Sequence, residues 1–96
     1  MGSRAHKPKL VFFLSGSSGR CRRVEGFLAQ VLQRRGNHET FNIYRVDVEN
    51  DPDLAERFGV TGVPALAVVE GKKVKSRLES PQGCRDIESF LAPWLK

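Results

Sequence analysis

Five consecutive apolar residues, Leu10-Val11-Phe12-Phe13-Leu14, stand between a basic, polar start and a run of serines and glycines. A short unbroken run of this kind suits a central strand buried on both faces. A turn of small residues, Ser15 to Gly19, follows. Val24, Phe27, Leu28, Val31 and Leu32 then recur at helical spacing, and Gly36 is expected to stop that helix after Arg34-Arg35. Cys21, three residues before Val24, projects onto the same apolar side. Phe41 to Val48 reads as a second strand, with Phe41, Ile43, Tyr44, Val46 and Val48 as its apolar positions.

Asp51-Pro52 predicts a helix start, with Asp51 as N-cap and Pro52 at the first helical position. Leu54, Ala55 and Phe58 form the buried side of that short helix, which ends at Gly59. Ala65 to Glu70 predicts a third strand, and Gly71-Lys72 folds it back onto a fourth, Val74 to Leu78, as a β-hairpin. Pro81 and Gly83 open a last helix in which Ile87, Phe90, Leu91 and Trp94 share a face, and Pro93 ends or bends it. The order is β-α-β-α-β-β-α. Two strands joined through a helix run parallel with a right-handed crossover. The expected fold class is therefore α/β, a four-stranded mixed sheet with helices on both faces. Residues 1–8 read as a flexible polar tail and 9–96 as one domain, without repeats or linkers.

Composition changes this picture little. Ninety-six residues, 40% of them hydrophobic and 28% charged, are an ordinary balance for a small globular domain. The two cysteines, Cys21 and Cys84, are too few for a disulfide framework and lack metal-ligand spacing, so neither a metal nor a cofactor is expected. Arg4, Lys7 and Lys9 precede the first apolar run as in a secretory signal. Its five residues are too short for a signal core or a membrane span. The expectation is a cytoplasmic protein with reduced thiols and no membrane contact.

The net charge of +5 is uneven. Residues 1–45 carry nine Lys/Arg and two Asp/Glu, a balance of +7, whereas residues 46–96 carry seven and nine, a balance of −2. The basic residues are scattered singly or in short groups without an aromatic-rich signature, so a solvated face is expected rather than a nucleic-acid site.

Three segments carry a family resemblance. Val11-Phe12-Phe13 runs into Ser17-Ser18-Gly19-Arg20-Cys21-Arg22; Val46-Asp47-Val48-Glu49 is followed by Asp51-Pro52; and Phe58-Gly59-Val60-Thr61-Gly62-Val63-Pro64-Ala65-Leu66 comes next. In this order and spacing the chain resembles the thioredoxin superfamily over roughly residues 9–95. The family typically reads Trp-Cys-Gly-Pro-Cys-Lys at the first segment and Tyr-Gly-Ile-Arg-Gly-Ile-Pro-Thr-Leu at the third. The resemblance implies a cis peptide at Val63–Pro64, facing the Cys21 turn. It also implies that the backbone there presents strand-like hydrogen bonds to an extended segment of a partner protein.

The departures bear on the chemistry. Ser18 stands where the family has its attacking cysteine, Ser17 where it has tryptophan, and Arg20 where it has proline. Phe12 takes the place of a buried acid that assists proton transfer. Ser18 is expected to serve as a helix N-cap, and the only histidines, His6 and His38, lie in the tail and a loop. Two readings of Cys21 stay open. Arg20, Arg22, Arg23 and the helix terminus could favour its thiolate, making it reactive toward glutathione or a partner. Alternatively its register makes it an inert small core residue. Cys84 reads as filler at the start of the last helix, away from the site. The candidate site is thus Cys21 and Ser18, with Ser17, Gly19, Arg20, Arg22, Val63 and Pro64 as binding residues. The expected function is a redox-impaired module that binds a partner at the Pro64 groove, with glutathione or another anion as a further ligand. The alternative is a monothiol thiol-disulfide oxidoreductase forming mixed disulfides through Cys21.

Overall fold

In the computed structural model, which describes residues 7–16 and 18–95, the first apolar run forms strand β1 (Lys9–Leu14). The expected tail lies outside the described residues as far as residue 6. β1 pairs in parallel with β2 (Asn42–Asp47) and antiparallel with β3 (Ala65–Glu70), and β3 pairs antiparallel with β4 (Lys73–Glu79). The sheet order is β2-β1-β3-β4. Residues alternate across a strand, so β1 divides its side chains between two cores. Leu10, Phe12 and Leu14 face α1 (Gly19–Gln33) and α3 (Cys84–Leu91), packing with Val24, Leu28, Ile87 and Leu91. Val11 and Phe13 face the other way, against Ala65, Ala67 and Ala55 of α2 (Pro52–Arg57). Phe13 meets the Phe58 ring edge-on at 5.2 Å between centroids. This is the mixed α/β sheet with helices on both faces that the pattern predicts.

The structure departs from the predicted boundaries and burial in several places. Gly36 does not stop the chain's winding. α1 gives way at Gln33 to a 3-10 turn over Arg34–Glu39, and Gly36 lies inside it at φ +66°. Asn37, 2% exposed, stitches that turn by donating to the Arg34 carbonyl (2.9 Å) and accepting from the Thr40 hydroxyl (2.8 Å). β2 is shorter than predicted, and its apolar residues are not all core. Ile43 and Tyr44 are 44% and 48% exposed because β2 is an edge strand, hydrogen-bonded on one side only.

Asp51 precedes α2, but its side chain makes no capping bond. The carboxylate that closes this turn is Asp47, which accepts from the Glu49 amide at 2.9 Å. Of the three residues expected on the buried side of α2, only Ala55 is fully buried; Leu54 and Phe58 are half-buried. β3 has the predicted limits, while β4 extends by one residue at each end and its register shifts at Lys75, which has no cross-strand partner between Val68–Ser76 and Val69–Val74. α3 ends at Leu91, before Pro93, with Trp94 packed against Phe41.

Gly59 closes α2 with φ +71°, a conformation that costs other L-residues about 1–2 kcal/mol. A β-carbon there would also collide with the Arg77 guanidinium, which donates to the Phe58 and Gly59 carbonyls at 3.2 and 2.8 Å. Gly59→Ala is expected to lower the melting temperature by about 5–10 °C. A melt unchanged within a degree would show that neither the backbone nor Arg77 is constrained.

Candidate functional site

β1 ends at Leu14, and the chain must turn before it can start α1 at Gly19. Ser18 closes this turn with its amide on the Ser15 carbonyl (3.1 Å) and adopts extended backbone angles of −82° and 124°. Its hydroxyl accepts from the Cys21 amide at 3.3 Å, satisfying one of the free donors at the helix start. Ser17, a candidate binding residue, lies outside the described residues. Gly19 is exposed, and Arg20, Arg22 and Arg23 project into solvent around the first turn of α1.

Cys21 points inward. It is 3% exposed, belongs to the core of Leu14, Val24 and Leu28, and its Sγ accepts from the Ser15 amide at 3.4 Å. A pocket of about 280 Å³ reaches it from outside, bounded by Phe12, Ser15, Ser18, Arg22 and the Glu25–Arg45 ion pair (3.2 Å). Phe12 is 1% exposed and packs in the same core.

The Val63–Pro64 segment comes to the same end of the sheet. Phe13 pairs with Ala65 in the antiparallel register, so the next pair along sets Pro64 level with Leu14, where the chain enters the Ser15–Ser18 turn. The Val63–Pro64 peptide is cis. Pro64 is buried, while half-buried Val63 touches the cores on both faces. Two anchors hold this loop. The Pro64 carbonyl accepts from the Ser80 amide at 2.8 Å, and Glu79 accepts from both the amide and the hydroxyl of Thr61, at 2.9 and 3.1 Å.

Neither Glu79 nor Ser80 is singled out by the sequence. Their role depends on the β3–β4 register, which sets Glu79 opposite Ala65, and no local pattern encodes that register. Cys84 lies apart from the site, half-buried between α3 and α1, where its thiol donates to Gln30 Oε1 at 3.2 Å. Among the described residues no cluster could hold a metal ion, and no helix is long and apolar enough to cross a membrane.

The thioredoxin family model matches residues 3–93. The chain belongs to the thioredoxin family. This family member is 30% identical to the thioredoxin of Streptomyces clavuligerus over 90 residues, covering 94% of this chain and 78% of that protein. It is 32% identical over 88 residues to the protein disulfide-isomerase tigA of Aspergillus niger, covering 91% of this chain. It spans only 24% of that isomerase's length, and 17% of the bifunctional thioredoxin reductase/thioredoxin of Mycobacterium leprae. In fold, the thioredoxin-family domain is similar to reduced desulfothioredoxin from Desulfovibrio vulgaris Hildenborough, with a TM-score of 0.76, 24% identity and coverage of 91% and 81% of the two chains.

Proposed function

We propose that this thioredoxin-family domain is a partner-binding module in which the dithiol cycle is disabled. It holds an extended segment of a partner protein between the Val63–Pro64 loop and the start of α1, at Ser18, Gly19, Arg20 and Arg22. The observation that carries this reading is the state of the one cysteine in the turn. Cys21 is 3% exposed with its sulfur accepting a backbone amide, while the Ser18 hydroxyl, at the position of the family's attacking thiol, is engaged as a helix cap. Thiol-disulfide exchange requires an accessible attacking thiolate, and neither residue supplies one. A reducing compartment such as the cytoplasm fits a chain whose two cysteines are both free thiols.

A second reading, a monothiol protein forming mixed disulfides with glutathione or a partner, draws on the pocket that reaches Cys21 past Arg22. Alkylation by iodoacetamide, resolved by mass spectrometry, separates the two. Cys21 is expected to label on the order of 10²-fold or more slowly in the native state than in denaturant, because access requires local opening. Cys84, half-buried, should label faster than Cys21. Native labelling of Cys21 within a few-fold of its unfolded rate would put the monothiol reading first.

A further inference from the structure

The start of α1 is charged the wrong way for a helix. Arg20, Arg22 and Arg23 fall within its first five residues, and no acidic residue stands in its first turn. Cations at this end oppose the helix dipole. Among the described residues, none of these three arginines has an acidic partner. The nearby carboxylates are already committed: Glu25 to Arg45, Glu79 to Thr61, and Asp86 to the Gln82 amide at 2.7 Å.

Two of these arginines border a cleft. Arg20, Arg23, Val24 and Phe27 form one wall, and Ser80 and Pro81 stand in the other, enclosing about 270 Å³. That volume is near the lower end for ligand cavities and fits a side chain or two. Val24 and Pro81 are buried, so the apolar surface the cleft offers comes mainly from half-buried Phe27, beneath an exposed arginine rim. The far wall is fixed to the Pro64 loop, because the Ser80 amide donates to the Pro64 carbonyl and the Gln82 side chain holds the Ser80 carbonyl at 3.3 Å. Ser80 itself sits at φ +51°, a strained value for a residue other than glycine. The cleft is thereby tied to the Pro64 loop through the Ser80 backbone, although Pro64 itself does not line it.

We infer that this cleft selects partner segments with an acidic residue beside an apolar one, the carboxylate taken by Arg20 and Arg23 and the apolar side chain laid against Phe27. The inference rests on the groove reading above. Guanidinium forks match carboxylates in bidentate fashion, and the bound anion relieves the adverse charge at the helix start. A protein segment fits better than a nucleic acid because Phe27, the ring that lines the cleft, is half-buried and presents too little face to stack a base. Phe27 packs into the core, and the exposed Tyr44 lies on β2 at the opposite edge of the sheet.

The test is fluorescence anisotropy with three dye-labelled decapeptides, alike except that a central leucine is flanked by Glu, Gln or Lys, and with a single-stranded decanucleotide. The Glu peptide is expected to bind about tenfold more tightly than the Gln peptide at low salt, and the Lys peptide most weakly, with the preference shrinking as salt rises. In the double variant Arg20→Gln/Arg23→Gln, checked for folding by its melt, the Glu peptide should fall to the level of the Gln peptide. Lys72→Gln/Lys73→Gln, an equal change of charge at the hairpin turn, should keep the preference. Equal binding of the Glu and Gln peptides overturns the inference and leaves the groove reading standing. No binding of any peptide overturns both. A decanucleotide that binds more tightly than the Glu peptide, with the same dependence on Arg20 and Arg23, overturns it in favour of a nucleic acid.

Discussion

Insulin reduction by dithiothreitol is expected to run no faster with this protein than with the reductant alone, and Ser18→Cys is expected to raise it clearly above that rate. The exchange needs a thiolate that attacks and a second thiol that resolves the mixed disulfide. The turn has one thiol, Cys21, buried and hydrogen-bonded, and a hydroxyl at Ser18 that is the wrong nucleophile for a disulfide. Ser18→Cys places sulfur at the helix start, next to amides that stabilise a thiolate and three residues from Cys21. Activity should remain below that of a dithiol thioredoxin, because Phe12 provides no carboxylate to move the second proton. Wild-type turnover well above the reductant-only rate would sink the proposal of a disabled cycle. Failure of Ser18→Cys to gain any activity would show that the arginines or the loop, and not the missing thiol, limit the chemistry.

Phe12→Asp, which restores the acid found in many relatives, is expected to unfold this domain at neutral pH. Phe12 is 1% exposed and packs with Leu10, Leu14, Cys21 and Val24. Removing a buried phenylalanine side chain costs about 3–5 kcal/mol. A carboxylate left there among aliphatic residues adds several kcal/mol more, or takes up a proton and still lacks a partner. Together these approach the roughly 5–15 kcal/mol that holds a typical domain folded. Phe12→Leu, which keeps most of the volume, should cost only about 1–2 kcal/mol and is the control. Circular dichroism melts read both. A cooperative melt for Phe12→Asp within about 10 °C of the wild type would mean that water or a neighbouring base already serves this position.

Much of this protein is local, and the sequence alone determines it. The run Leu10 to Leu14 suits a strand buried on both sides, and the 3.6-residue spacing from Val24 to Leu32 suits a helix with one apolar face. Cys21 as an inward residue follows from the same spacing, since it lies three residues before Val24, while Ser18 as N-cap follows from its residue type at the family's turn position. The three family segments, read in order, are enough to expect the mixed sheet and the family that the structure and the relatives bear out.

What lay beyond the sequence depends on contacts between residues distant along the chain. Ile43 and Tyr44 look as apolar as the β1 residues, yet they face solvent because only the strand order makes β2 an edge. Asp51 has the residue type and position of a cap, but at φ −130° and ψ 62° it makes no capping bond, and Asp47 closes the turn by accepting from the Glu49 amide. Glu79 and Ser80 became part of the site only when the β3–β4 register brought them to Thr61 and Pro64. The cleft beside Arg20 and Arg23 has walls more than fifty residues apart in the chain, at Val24 and Ser80. Side-chain period and capping are properties of neighbours in sequence. Register, edge and cleft are properties of packing, which the tertiary structure alone decides.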